Sequence, residues 1–209
     1  MDEVLNRILQ IEHGFRHIYD AADEILGSYP RVRSLEIALD LYKNEAYQAR
    51  MLATVILGNL ADNNSEAYVF LREQVSRDKN WRVQEMLAVA FDLICKNTGY
   101  EKSMPVISEW MDSENPNIIR AATEGLRVWT NRPFFKENPL LAIELISRHQ
   151  SHESLYVRKS VGNALKDISR KYPELVINEL NGWDLSNPLI RFTYKYAIKH
   201  LDKTQRDGV

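Results

Sequence analysis

The chain has 209 residues, 44% of them apolar and 27% charged, and its 27 Lys and Arg against 29 Asp and Glu leave a net charge of -2. That length suits one domain with one substantial core, and the near-neutral total by itself points to no nucleic-acid partner. No apolar run approaches the roughly 20 residues that span a bilayer, and a lone cysteine, Cys95, excludes an internal disulfide or a cysteine-rich metal site.

The opening MDEVLNRILQIEHGF is acidic and amphipathic rather than basic then apolar, which argues against a secretory signal and for a cytoplasmic protein. Residues 1–30 are expected to form one or two capping helices, 31–203 a set of repeats, and 204–209 a disordered tail. From about residue 33 the apolar positions recur at three- and four-residue spacing, as in Met51, Leu52, Val55, Ile56 and Leu60, then Val83, Met86, Leu87, Ala90 and Phe91. Only 8 Gly and 7 Pro punctuate the chain, too few for an all-β or dinucleotide-binding fold of this size.

One short pattern repeats: an aliphatic residue, a polar one, then small and apolar residues. It stands at Ala49-Arg50, Val83-Gln84, Ile119-Arg120, Val157-Arg158 and Ile190-Arg191, about 35 residues apart. Turn and capping residues precede it each time, such as Asn115-Pro116-Asn117 and Ser186-Asn187-Pro188. The motif therefore opens the second helix of each helical pair. Second helices are predicted at about 46–61, 81–96, 117–130, 154–171 and 187–201, and first helices near 33–43, 65–77, 101–112, 137–149 and 173–182. A helical pair cannot cover its own apolar face, so pairs stack. The expected fold is all-α: a right-handed α-α superhelix of about five to six HEAT-like repeats in a single domain, with a concave groove lined by second helices.

Charge is divided unevenly. From Asn117 onward there are about 15 Lys or Arg against about 10 Asp or Glu, and the remainder holds about 12 against 19. The cations fall on or beside the second helices, where successive repeats can track a phosphate backbone. The alternative is that the repeated arginine serves the fold by bonding to neighbouring repeats.

No phosphate loop, dinucleotide fingerprint, nucleophile elbow or Cys/His cluster is present, and His13 and His17 lack a third ligand. No metal or cofactor is expected. With each motif aliphatic at 0°, Glu85 falls at about 200° and Glu124 at about 140°, away from the buried direction, and Asp167 at about 280°, on its border. Gly125 and Gly162 sit inside helices at about 1 kcal/mol each relative to alanine, a cost that suits close approach by a neighbouring helix or a ligand.

IRAATEGLR, from Ile119, and YVRKSVGNALKDISRKYPE, from Tyr156, resemble helices of the bacterial DNA alkylation repair family. These are the HEAT-like alkylpurine DNA glycosylases of the AlkC and AlkD kind, and the likeness leans toward AlkC. It extends over roughly residues 80–185. The resemblance implies hydrolysis of the N-glycosidic bond of positively charged N3- or N7-alkylated purines in double-stranded DNA by a monomer. Those bases leave without protonation, so the need is for negative charge beside an oxocarbenium-like transition state. On matched positions Glu124 and Asp167 would be the catalytic acids, with Glu85 a third. Trp129 and Trp81 would stack on the lesion, with Phe134 and Phe135 as alternatives to Trp129. Arg120, Arg127, Arg158, Lys159, Lys166 and Arg191 would hold phosphates. The competing expectations are a module that binds damaged or branched DNA without chemistry, and a protein-binding scaffold.

Overall fold

The structure is a computed structural model that describes residues 2–201. The tail expected at 204–209 lies outside the described residues. Thirteen α-helices and no strand are found among the described residues, so the all-α HEAT-like fold is confirmed. No helix among them is long and apolar enough to cross a membrane.

The described residues divide at Gly99, which has a φ of +93°, into two compact units. The first contains α1 (Asp2–Leu9), α2 (Arg16–Ser28), α3 (Arg31–Tyr42), α4 (Tyr47–Leu60), α5 (Ser65–Glu73) and α6 (Trp81–Thr98). The second contains α7 (Met104–Met111), α8 (Pro116–Trp129), α9 (Pro133–Glu137), α10 (Pro139–Ser147), α11 (Leu155–Ile168), α12 (Pro173–Asn181) and α13 (Pro188–Ala197). Only α9 has no counterpart among the predicted elements. Pro133 opens it with its φ already set for a helix, and Asn138-Pro139 ends it after five residues.

The second helices begin where the turn chemistry dictates. Asn80, Asn115 and Asn187 each accept a hydrogen bond from the backbone N–H two residues on, at 2.9–3.0 Å, satisfying a donor the helix cannot. The motif aliphatics Ala49, Val83, Ile119 and Val157 are at most 1% exposed and form the core of each pair. In the first unit α4 packs on α3, α2 and α6, and in the second α11 packs on both α8 and α13. Glycine permits the closest approaches. A Cβ on Gly58 would lie 2.5 Å from Ala90 Cα in α6, and one on Gly162 would overlap Tyr196 and lie 2.8 Å from Thr193 O in α13. The mid-helix glycine at 162 thus answers to helix packing.

The polar position of the repeat has a structural use in both units. Arg50 donates to the carbonyls of Asn44 and Glu45, six and five residues back, and its Nε lies 2.7 Å from Asp78. Gln84 reaches back to Asp78 O in the same way, and Arg158 to His152 O and Glu153 O. Each closes the turn between the two helices of its pair.

Candidate functional site

The C-terminal unit brings two of the three predicted carboxylates onto one guanidinium. Arg127, one turn after Glu124 on α8, lies 2.8 Å from Glu124 Oε2 and 2.8 Å from Asp167 Oδ2 on α11. Ser160 of α11 donates to Glu124 Oε1 at 2.9 Å, so each helix holds the acid of the other. Lys166 and Arg170 stand 3.6 and 4.0 Å from Asp167 Oδ1. Burial pushes the Asp167 carboxyl up, but the hydrogen bond from Arg127 and the charges of Lys166, Arg127 and Arg170 outweigh it. The net result lies below the ordinary carboxylate range, and Asp167 is ionised at neutral pH. A cavity of about 400 Å³ adjoins the cluster, lined by Arg127, Val128, Asn131, Asp167, Arg170 and Lys171 among others.

Glu85 lies in the N-terminal unit, one turn beyond Trp81 on α6. Its neighbour is Tyr19 of α2, whose hydroxyl is raised above its usual range by burial and then by the Glu85 charge. Sequence reasoning missed Tyr19 because α2 shows only amphipathic spacing, and a contact 66 residues away leaves no local signal. It missed Ser160 too, although Ser160 and Glu124 occupy facing turns of successive second helices.

The two predicted stacking residues differ. Trp81 is 53% exposed, and the Arg82 guanidinium lies over its ring at 4.5 Å. Trp129 has no exposed surface; it packs against Tyr100 and Phe135 at centroid distances of 5.1 and 5.7 Å, under Gly125. A ring without a free face cannot stack on a base, so Trp129 is a core residue. Phe135 is equally buried, and Phe134 packs edge-on against it.

The six predicted phosphate contacts also separate. Arg120 and Arg158 are each 8% exposed and lie over the Tyr156 and Phe192 rings of the following repeat, at 4.8 and 5.4 Å. With its Nη1 donating to the carbonyls of His152 and Glu153, Arg158 is a fold residue, and burial corrects the phosphate role for Arg120 as well. Arg127 is committed to the two carboxylates. Lys159 and Arg191 are exposed, and Lys166 is half-buried and donates to Asn163 at 3.2 Å. Lys159, Lys166 and Arg170 fall on one face of α11 and its C-terminal turn, and Arg191, Lys195 and Lys199 on one face of α13 and the turn that follows. Among the described residues Lys159, Arg191 and Lys195 have no ion-pair partner. No group of three metal-ligating side chains occurs among the described residues.

A family profile described as "DNA alkylation repair enzyme" matches residues 17–201. The crystal structure of AlkD2 from Streptococcus mutans is 46% identical over 96% of this chain and 97% of its own, with a TM-score of 0.92. That of smu.31 from Streptococcus mutans UA159 is 44% identical over 96% and 98%, with a TM-score of 0.89. Helix motifs that leaned toward AlkC thus sit in a chain that matches an AlkD2 protein along almost its whole length. Among curated proteins, the uncharacterized protein YhaZ of Bacillus subtilis (strain 168) is 32% identical over 111 residues, which is 49% of this chain but only 31% of YhaZ. With a profile match over most of its length and full-length relatives far above chance identity, the chain belongs to the DNA alkylation repair enzyme family.

Proposed function

We propose that the protein is a DNA glycosylase that hydrolyses the N-glycosidic bond of cationic N3- or N7-alkylated purines. The observation that carries this is the pair of carboxylates, Glu124 and Asp167, held on Arg127 from two neighbouring repeats within a basic surface. The alkylated base already carries a positive charge, so the C1′–N bond breaks with its electron pair going to the base, which leaves neutral. Positive charge then develops on the sugar, where a fixed carboxylate stabilises it more than water does. Water adds its oxygen to C1′ and gives its proton to a carboxylate and on to solvent. Arg127 orients both acids, while Lys159 and Arg191 meet the phosphates. Glu85, beside Tyr19, and the exposed Trp81 belong to the N-terminal unit.

A second reading has its own support: Arg127 already compensates the two carboxylates, and Trp129 is closed to a ligand. On that reading the protein binds damaged or branched DNA without releasing a base. Incubation with duplex containing 7-methylguanine or 3-methyladenine, followed by assay of free base, separates the two. Release by the wild type that is lost in Glu124→Gln and Asp167→Asn upholds the glycosylase. Tight binding with no release establishes the second reading in its place.

A further inference from the structure

The turns ahead of α4, α6, α8, α11 and α13 close in the same way: a side chain accepts the backbone N–H two residues on. In four of them the acceptor is an oxygen, of Asn44, Asp78, Ser113 or Asp184, at 2.8–3.1 Å. In the α10–α11 turn it is His152, whose Nδ1 takes the N–H of Ser154 at 3.0 Å. An oxygen keeps a lone pair for this bond whether or not it is protonated. An imidazole that binds a proton at Nδ1 has none, and its charge changes between about pH 5 and 8.

A second imidazole shares the turn. The ring centre of His149 lies 5.8 Å from that of His152. Its Nε2 is buried without a hydrogen-bond partner among the described residues, so a proton there would meet neither water nor an acceptor. Burial, and then His152, hold the His149 imidazole below its ordinary range, against the opposing pull of the Met111 backbone and Asp112. The charged groups around the pair are Asp112 after α7, Arg148 and Glu153 within the turn, and Arg158 of α11, which donates to His152 O and Glu153 O. From α13 the turn is met by Thr193, which does not titrate and donates to Gln150 O at 2.7 Å. One short loop therefore ties down both α11 and α13.

We propose that this turn is an acid-released latch: His149 and His152 hold it closed while neutral, and their protonation frees the helix that carries Lys159, Ser160 and Asp167. A proton on His152 removes the acceptor for Ser154 N–H and sets a cation against Arg158. A proton on His149 places a second charge beside the first. Because the folded state holds His149 below its ordinary value of 6.5, its contribution to stability is complete above that pH and is lost as pH falls below it. The latch belongs to the fold and does not depend on what the protein binds.

The test compares the full chain with His152→Asn, which keeps the acceptor found in the α4 turn but cannot take the proton, and with His149→Gln. At about pH 8 wild type and His152→Asn should melt together; at about pH 5.5 the wild type should melt about 4 °C lower. His149→Gln should likewise lose less on acidification than the wild type. Hydrogen exchange at Ser154 and the first turn of α11, corrected for intrinsic rates, should lose about tenfold protection in acid in the wild type and keep it in His152→Asn. Equal acid losses in wild type and both variants overturn the latch. Binding to an unmodified DNA duplex adds a second arm: at about pH 5.5 the wild type should bind about threefold more weakly than His152→Asn, with no difference at about pH 8. Tighter binding by the wild type in acid would mean that the imidazolium meets phosphate directly, and overturns the release of α11. Absence of DNA binding at both pH values sinks the proposed function and not the latch, which melting and exchange measure directly.

Discussion

The two compact units share one repeat and use their tryptophans in opposite ways. In the N-terminal unit Trp81 stands half in solvent against Arg82, while in the C-terminal unit Trp129 is sealed beneath Gly125. The repeated polar residue, by contrast, does the same thing in both: Arg50, Gln84 and Arg158 each reach back to a carbonyl six residues earlier. In these three repeats the polar residue serves the fold, and the candidate chemistry resides in side chains that occur once, Glu124, Asp167 and Arg127. The largest expected effect tests this division directly. Trp129→Ala removes a wholly buried ring from an aromatic cluster and should cost about 3–5 kcal/mol in urea unfolding. Trp81→Ala should cost less than about 1 kcal/mol, because the indole it removes is half exposed. Equal losses would mean that the fold, too, depends on Trp81.

The repeat sharpens the comparison further. Each buried arginine of the C-terminal unit is covered by an aromatic of the next repeat, Arg120 by Tyr156 and Arg158 by Phe192. Arg191 belongs to the last helical pair of the described residues and is exposed. Arg158→Ala, which leaves turn carbonyls without their charged donor, should cost about 2–3 kcal/mol. Arg191→Ala should change stability by no more than about 0.5 kcal/mol, yet lower the salt dependence of DNA binding by about one charge. The same substitution at the same repeat position would then read out as fold in one helix and as ligand in the next.

Helix positions were legible in the sequence because they rest on local chemistry. The Asn caps, the N-terminal prolines and the three- and four-residue apolar spacing place all five second helices to within a few residues of their predicted bounds. Glu124 and Asp167 were legible as candidates from their motifs, but their shared guanidinium was not. Arg127 looks like any surface cation on a helix with an outward glutamate, and only the packing of α8 on α11 brings Asp167 to it. Burial at Arg120 and Arg158 was hidden for the same reason: it depends on aromatics 36 and 34 residues further on. Trp129 failed as a stacking residue because helical periodicity alone does not say that α9 folds back and sets Phe135 against it.

A smaller effect than that at Arg158 concerns Asp167, and its sign is fixed by the charges around it. Burial alone would raise this carboxyl, and Arg127, Lys166 and Arg170 instead hold it below its usual range. A carboxyl depressed in the folded state contributes stability above its unfolded pKa of about 3.9, and that contribution is lost as pH falls through the folded value. The difference in unfolding free energy between wild type and Asp167→Asn should therefore be constant from about pH 5 to 7 and shrink below about pH 4. Since the ion pair is partly exposed, the plateau should be no more than about 1 kcal/mol and should fall further in high salt. A difference that persists unchanged at low pH would show that Asp167 holds α8 and α11 together by packing rather than by charge. In that case Arg127 would have to be supported by Glu124 alone.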